Sequence, residues 1–562
     1  MIGHRTIFFQ LLLCSVFTSS AVRAADNLTS ANLEQFLADH GEQSCTSLPT
    51  LRSVDLHTAL TELYVSTAYG ALWQDPQLLT VLQTELAELI LDGLDPEEYG
   101  FALRAKAPVD FCAELRITSQ YLLALEHLSR GRLAQEQHEP SWQADALRSA
   151  PPLPALSELA TTGLREGISA SFEQARPALR QYRDLRAAYA TMDRHTPSRP
   201  TVPPGPLLRP GMSDERIEQI AKQLQQDGFM LEAPVTTPAS TSSSTIAATW
   251  RYDAALEDAL RLFQANQGLQ VDGIIGPQTI RALNISPAQR VQQVQINLER
   301  LRWINARRSE YLLLINVASG HIQLLRGNDS IWQARVQAGR PRRPTPAMVS
   351  HINRVTLNPS WTVPPTILRE DILPQIRRNP DYLVERGIHA LDAQGNLLDP
   401  QRIDWNSPQG IILRQPPGPT NPLGQMVFRL PNPFSIYLHD TPSQQLFLQA
   451  NRNLSSGCVR VEDANGLADH LFFGMSASQR QRIAEQLASG QTHEVTLTNG
   501  PQVILAYWTA FANAEGRPAF VPDSYGLDGA LGAALAGVRT AQRVDIGEIA
   551  MQAESGCALL EG

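Results

Sequence analysis

The chain has 562 residues, 43% hydrophobic and 18% charged, with 39 Pro and 35 Gly. That supplies apolar material for several cores, excludes wholesale disorder, and predicts three or four folded units at about 150 residues each. A formal charge of −9 excludes a nucleic-acid binder that relies on a global basic field. Five cysteines without a CxxC pair argue against a structural zinc module or a dithiol redox motif.

Residues 1–24 read as a cleavable export signal. His4 and Arg5 precede an apolar stretch from Ile7 to Phe17, and Val22-Arg23-Ala24 offers a small-residue cleavage site. The run is too short to span ~30 Å of hydrocarbon as a helix, and the mature chain is expected to carry no transmembrane segment. Losing Arg5 and Arg23 moves the formal charge from −9 to −11. In an oxidising compartment accessible thiols pair. Cys45 and Cys112, flanking the same early helical region, are the candidate disulfide, which leaves Cys458 and Cys557.

From 25 to 235 the pattern predicts a helical scaffold. Asp75-Pro76 opens a segment with Leu78, Leu79, Leu82, Leu86, Leu89 and Ile90 at helical spacing, closed by Gly93. Ile117–Leu133 and Phe172–Met192 behave alike, and no catalytic constellation stands out. Six prolines between Pro197 and Pro210 enforce an extended stretch, a short helix covers Asp214–Gln226, and 236–249 is a Ser/Thr/Ala-rich linker. A compact unit follows over 250–286. Asp253 caps a helix carrying Leu256, Leu260 and Phe263, Asp272-Gly273 makes a turn, and Gly276-Pro277 starts a second helix. A bridging helix, 287–303, leads into a β-rich segment, 304–528. Its expected strands are Tyr311–Val317, Ile322–Leu325, Ile331–Ala338, Ile411–Arg414, Met426–Arg429 and Phe434–Leu438. A helical, Pro-containing insertion at about 361–410 interrupts them. The tail, 529–562, has no readable structure.

The chemistry concentrates in Ile436-Tyr-Leu-His-Asp-Thr-Pro442 and Leu454-Ser-Ser-Gly-Cys-Val-Arg-Val461. Both sit at strand ends among small residues, which exposes side chains at the rim of a sheet. A free cysteine has a pKa of about 8.5 and only its thiolate is nucleophilic. A neighbouring imidazole takes that proton and later returns one to a leaving amine. His439 is the candidate base for Cys458, 19 residues on. Gly457 admits a carbonyl closely, and backbone N–H groups there suit an oxyanion. Arg460, two residues beyond Cys458, faces the same side of a strand and suits a substrate carboxylate. A cysteine and a histidine at this spacing are, by themselves, more often a buried hydrophobe and a satisfied ring.

The run Phe263–Asn284, FQANQGLQVDGIIGPQTIRALN, resembles the small three-helix peptidoglycan-binding module. Tyr437-Leu-His439-Asp-Thr-Pro through Ser455-Ser-Gly-Cys458-Val-Arg460-Val resembles the active-site signature of the L,D-transpeptidases. Asn358-Pro-Ser-Trp361-Thr-Val-Pro, Arg414-Gln-Pro-Pro-Gly-Pro-Thr-Asn421-Pro-Leu-Gly424 and Tyr525-Gly-Leu-Asp528 are similar to segments of that family's larger exported members. The resemblance covers most of 50–528 and is strongest from 358 to 463. It implies a multidomain α+β chain: helical scaffold, three-helix peptidoglycan-binding unit, and β-rich catalytic domain with a helical capping insertion.

It also implies an activity. Cys458 attacks a tetrapeptide stem at its third residue, a diamino acid such as diaminopimelate. D-Ala leaves, and a second stem's amine resolves the thioester into a 3→3 cross-link. His439 maps onto the base, Gly457 onto the oxyanion region, and Tyr437, Ser456, Trp361, Asn421, Arg414 and Arg460 onto substrate-binding positions. Periplasmic location, peptidoglycan stem peptides as partners, no cofactor, no metal and no nucleic acid complete the expectation, with acylation by β-lactams, the penems foremost. Ser456 departs from the histidine that many members carry before Gly-Cys. Met426 stands where lysine is common. Hydrolysis, D-amino-acid exchange or lipoprotein linkage use the same acyl-enzyme and stay open. So does a non-catalytic wall-binding scaffold, in which Cys458 is buried or oxidised with Cys557.

Overall fold

The structure, a computed structural model, describes residues 28–45, 48–144, 154–193, 199–230, 250–305 and 309–537. The expected export signal, the whole 236–249 linker region and the tail beyond 537 lie outside these residues. Among the described residues no helix is long and apolar enough to cross a membrane.

The scaffold packs the helices Leu56–Ser66, Pro76–Glu88, Phe111–Arg130, Leu156–Glu166 and Ile168–Ala175 around Leu60, Leu82, Leu122 and Phe172. Asp75 caps the second helix by accepting from the Gln77 N–H, with Pro76 in its first turn. The expected helix Phe172–Met192 is two helices, Ile168–Ala175 and Arg180–Ala190. Pro177 explains the break, since it has no N–H and clashes with a preceding turn. Cys45 and Cys112 form a disulfide with a Cα–Cα distance of 5.3 Å.

The three-helix unit begins earlier than its second helix suggests. Ile217, Ile220 and Leu224 of helix Arg216–Gln226, with Val202 and Leu208 of the proline-rich stretch, share one core with Leu256, Leu260, Phe263, Ile275 and Leu283. The boundary expected at 250 is therefore corrected to near 199. A unit of about 35 residues buries too little surface to stand alone, and the Pro-rich arm and its helix complete it. The backbone of Leu208 bonds to that of Ile275 in both directions.

Residues 311–506, with Trp142–Gln143 of the scaffold, build a sheet of twelve strands. Eleven run in the order Trp142–Gln143, Met348–His351, Gln502–Ala506, Tyr311–Asn316, His321–Arg326, Asp329–Gly339, Val459–Val461, Leu438–His439, Met426–Arg429, Arg354–Leu357 and His493–Thr496. Asn453–Ser455 pairs with Asp329–Gly339 off this path. One face packs Ile322, Leu324, Val336 and Val459 against Leu467 and Phe472; the other packs Leu312, Leu314 and Ile504 against Tyr182, Leu185 and Leu298. The scaffold thus supplies both an edge strand and part of the cover. The expected strand Phe434–Leu438 shrinks to Leu438–His439. Asn432 accepts from the N–H groups of Phe434 and Ile436 and donates to the carbonyls of Leu430 and Ile436, which winds 432–436 into a turn instead.

The insertion is a subdomain rather than a run of helices. Trp361–Thr362, Ile412–Gln415, His389–Leu391 and Leu397–Leu398 form a separate four-stranded sheet. Val363, Ile372, Ile376, Leu383, Ala390 and Leu413 give it its own small core.

Candidate active site

Two adjacent parallel strands assemble the site. Leu438 pairs with Val459 and His439 with Arg460, and the Val459 N–H donates to the Tyr437 carbonyl at 3.0 Å. Side chains alternate across a sheet, so His439 and Arg460 project together. With Cys458, just ahead of its strand, they line a cavity of about 90 Å³. Tyr437, Ser456 and Trp361 share that lining, with Thr362, Pro364 and Ile367 of the insertion overhead and Pro422 and Leu423 beside them. His439 and Cys458 are 4% and 8% exposed, so the reacting groups would sit away from bulk water.

The imidazole is oriented by the backbone. His439 Nδ1 lies 2.6 Å from the Asp440 carbonyl oxygen; that carbonyl only accepts, so Nδ1 carries the proton and Nε2 keeps its lone pair. Burial first, and the Arg460 guanidinium second, push the ring down to about 3. Asp440 is held in turn, its Oδ2 accepting from the Gln425 N–H at 2.8 Å. A Cβ on Gly424, which has φ +61, would stand 2.2 Å from that oxygen. Only glycine fits there.

The turn bearing Cys458 is braced from inside. Ser455 Oγ donates to the Cys458 carbonyl at 2.5 Å and accepts from the Gly457 N–H at 3.1 Å. Thr345 Oγ1 donates to the Gly457 carbonyl at 2.6 Å. Tyr525, from the Tyr-Gly-Leu-Asp segment, accepts from the Thr345 N–H and donates to the Gly339 carbonyl. Gly457 has φ +120, a region L side chains avoid. Its N–H is spent on Ser455, so service to an oxyanion requires an exchange of partner. Cys458 Sγ lies 3.7 Å from the carbonyl of Ser435, itself at φ 53. Cys458 is disulfide-bonded in this structure, and thiolate chemistry belongs to its reduced form. The expectation of pairing with Cys557 falls on a residue outside the described ones.

Arg460 Nη1 donates to Gln337 Oε1 at 3.1 Å, and burial lowers its pKa. Ser456 Oγ accepts from Arg343 Nη1 at 2.9 Å and Arg340 Nη2 at 3.4 Å. Both arginines reach Asp371 of the insertion, and Arg343 also reaches Glu370. The residue before Gly-Cys is therefore the foot of a clasp joining the insertion to the sheet.

Two expected substrate-binding residues lie outside the cavity. Asn421 is fully buried, donating to the carbonyls of Pro359, Gln415 and Pro416 and accepting from the Leu423 N–H. Its hydrogen bonds are used up pinning the 415–423 loop. Arg414 pairs across the insertion's sheet and donates from Nε to Thr362 Oγ1 at 3.1 Å. Both are corrected to supporting roles. Sequence reasoning missed Thr345, Arg340 and Arg343. The Arg340-Pro-Arg-Arg-Pro-Thr345 run was the available signal, because two prolines fix an extended rim from which arginines project.

A profile of the L,D-transpeptidase catalytic domain matches residues 310–476, one described as "Scaffold domain" matches 58–188, and one described as "Putative peptidoglycan binding domain" matches 213–283. Residues 310–476 thus match the L,D-transpeptidase catalytic domain. A Haemophilus influenzae protein named "Putative L,D-transpeptidase" is 37% identical over 242 residues, 42% of this chain and 48% of that protein. The chain thus matches about half the length of this curated relative. Among solved structures, an L,D-transpeptidase from Mycobacterium smegmatis is 14% identical over 35% of this chain and 58% of that one, with a TM-score of 0.17. Those from Xylanimonas cellulosilytica and Stackebrandtia nassauensis are 14% and 12% identical. Each covers 55% of this chain, against 100% and 96% of their own, with TM-scores of 0.17 and 0.19. The third profile, starting at residue 213, includes the helix Arg216–Gln226 that the shared core assigns to this unit.

Proposed function

We propose that this L,D-transpeptidase domain acts in the periplasm on peptidoglycan, through a thioester on Cys458, and forms 3→3 cross-links with release of D-Ala. The observation that carries the reading is the shared cavity of Cys458, His439 and Arg460, with the His439 ring fixed by the Asp440 carbonyl so that Nε2 keeps its lone pair. In the reduced enzyme the Cys458 thiol loses its proton to Nε2 as sulfur attacks the carbonyl of the donor's third residue. The tetrahedral oxyanion collapses, the C–N bond breaks, and the imidazolium protonates the departing D-Ala amine. The acceptor's side-chain amine then attacks the thioester, gives its proton to the ring, and restores the thiol.

Arg460 suits the donor's carboxylate. Pairing there offsets the cation that depresses His439, so substrate binding itself makes the base stronger. The cavity of about 90 Å³ is well below the roughly 300–1,000 Å³ of an ordinary ligand site. Substrate entry therefore needs the insertion to move, and its return excludes water from the thioester. Exclusion of water favours transfer over hydrolysis.

The test uses reduced protein and purified tetrapeptide muropeptides followed by mass spectrometry. Wild type is expected to release D-Ala and form dimers, with an acyl adduct on Cys458. Cys458→Ala should do neither, and equal dimer yield in that variant would refute the assignment.

A further inference from the structure

Far along the chain from the catalytic cavity, the scaffold gathers three ligating side chains. His40 precedes the short turn Gly41–Ser44 and sits at φ 53, Glu42 lies within that turn, and His57 is in the first turn of helix Leu56–Ser66. Glu42 Oε1 is 3.3 Å from His40 Nδ1 and 3.1 Å from His57 Nδ1. One donor atom from each residue falls within 4.8 Å of the others, and the two rings lie 4.1 Å apart at 33°. Glu42 is 6% exposed, and its second oxygen, Oε2, is buried with no hydrogen-bond partner.

A plain hydrogen-bond cluster accounts for this poorly. It loads one carboxylate oxygen with two imidazoles and leaves the other buried and unmet, at a cost of about 1–3 kcal/mol. A cation accounts for it better. Zinc holds nitrogen and oxygen donors at about 2.0–2.1 Å in a tetrahedron, and the edge of such a tetrahedron is about 3.3–3.4 Å. The two Nδ1–Oε1 separations are close to that edge.

We infer that His40, Glu42 and His57 form a zinc(II) site, binding through both Nδ1 atoms and the Glu42 carboxylate, with water in the fourth position. Each imidazole coordinates as its neutral form, with its proton on Nε2. Two nitrogens and one carboxylate suit zinc more than calcium or magnesium, which take oxygen donors. Cys45, next to the turn, is committed to its disulfide with Cys112 and adds no thiolate.

The role is structural. The disulfide ties this turn to helix Phe111–Arg130, Phe36 stacks on Phe111 at 5.2 Å, and the metal adds a tie to helix Leu56–Ser66. Together they fasten the segment 28–45 to the scaffold. The sequence expectation of no metal weighed cysteine spacing, and it is blind to a histidine 15 residues from its glutamate.

The test uses untagged, non-reduced full-length protein, stripped with chelator, then titrated with zinc by calorimetry and elemental analysis. Wild type is expected to take up about one zinc per chain and to melt at a higher temperature when loaded. Glu42→Gln and His57→Ala should weaken binding more than about 10-fold. His40→Asn guards against misfolding, because His40 is half-exposed and asparagine tolerates its left-handed backbone. Substoichiometric uptake in wild type, or uptake left unchanged by His40→Asn and His57→Ala, overturns the site.

Discussion

The His439 ring stays neutral across physiological pH, because burial and the Arg460 guanidinium push it down to about 3, against an ordinary value of about 6.5. Two consequences follow from that one group. Unfolding returns the ring to its ordinary pKa, so between about 6.5 and 3 the unfolded chain holds a proton that the folded chain does not. Stability contributed by this residue is therefore lost as pH falls through that window. The second consequence concerns the proposed reaction. Lowering the pH from about 8 to 5 does not protonate the base in the free enzyme, so the kcat/KM profile is expected to lack an acid limb near the ordinary histidine value. Arg460→Gln removes the second cause of the depression while leaving the ring buried. The titration midpoint of the His439 ring, followed by NMR, should move upward in that variant, and kcat/KM should fall. An unmoved midpoint would show that the guanidinium does not act on the ring.

The clasp between the insertion and the sheet is a property of elements rather than of one side chain. Arg343 is buried at 5% exposure and joins Asp371, Glu370 and Ser456, while the two acids are half-exposed and better able to rehydrate. Arg343→Ala should therefore cost about 1–3 kcal/mol in overall stability. Hydrogen exchange should rise selectively over 361–415, whose core is its own. With the cover loosened, water competes for the thioester, and the ratio of hydrolysed product to dimer should increase. Unchanged exchange in that segment would show that the insertion is held by its hinges and not by the clasp. This element also marks where the sequence stops being readable. The strands Tyr311–Asn316 and Met426–Arg429 are plain in it because their periodicity is local, and His439 and Cys458 stand out because small residues frame a strand end. The insertion's four-stranded sheet pairs two- to four-residue strands across its length, too short for any periodic signal. The Arg343–Ser456 bond spans 113 positions, and no local pattern announces it. The turn at 432–436 went unread for another reason: one asparagine outweighed the β-propensity of Phe434 and Ile436.

The bridging helix Pro287–Asn305 turns these parts into one body. Arg302 and Glu299 are fully buried and paired at 2.7 Å, and Arg302 Nη1 donates to the Asp92 carbonyl of the scaffold at 2.7 Å. Glu299 Oε1 accepts from the Leu133 N–H. On another face of the same turn, Arg300 joins Glu139 of the scaffold to Asp528 at the end of the catalytic domain and lies over the Tyr507 ring. On the helix's N-terminal half, Gln293 donates to the carbonyls of Thr509 and Val521, while Arg290 stacks on Phe520. Scaffold and catalytic domain therefore meet through charged groups that are largely withdrawn from water, Arg302 and Glu299 fully so, and removing one partner strands the other. Arg302→Met keeps the volume but leaves Glu299 an unpaired buried charge and the Asp92 carbonyl without its donor, a loss of about 3–5 kcal/mol. That loss falls on the interface rather than on either core. Calorimetry of the wild type is expected to show scaffold and catalytic domain melting in one transition. The variant should show two, the scaffold separating first while the sheet around Val336 and Val459 persists. A uniform downward shift with a single transition retained would place the coupling elsewhere, in the packing of Tyr182 and Leu185 on the sheet face.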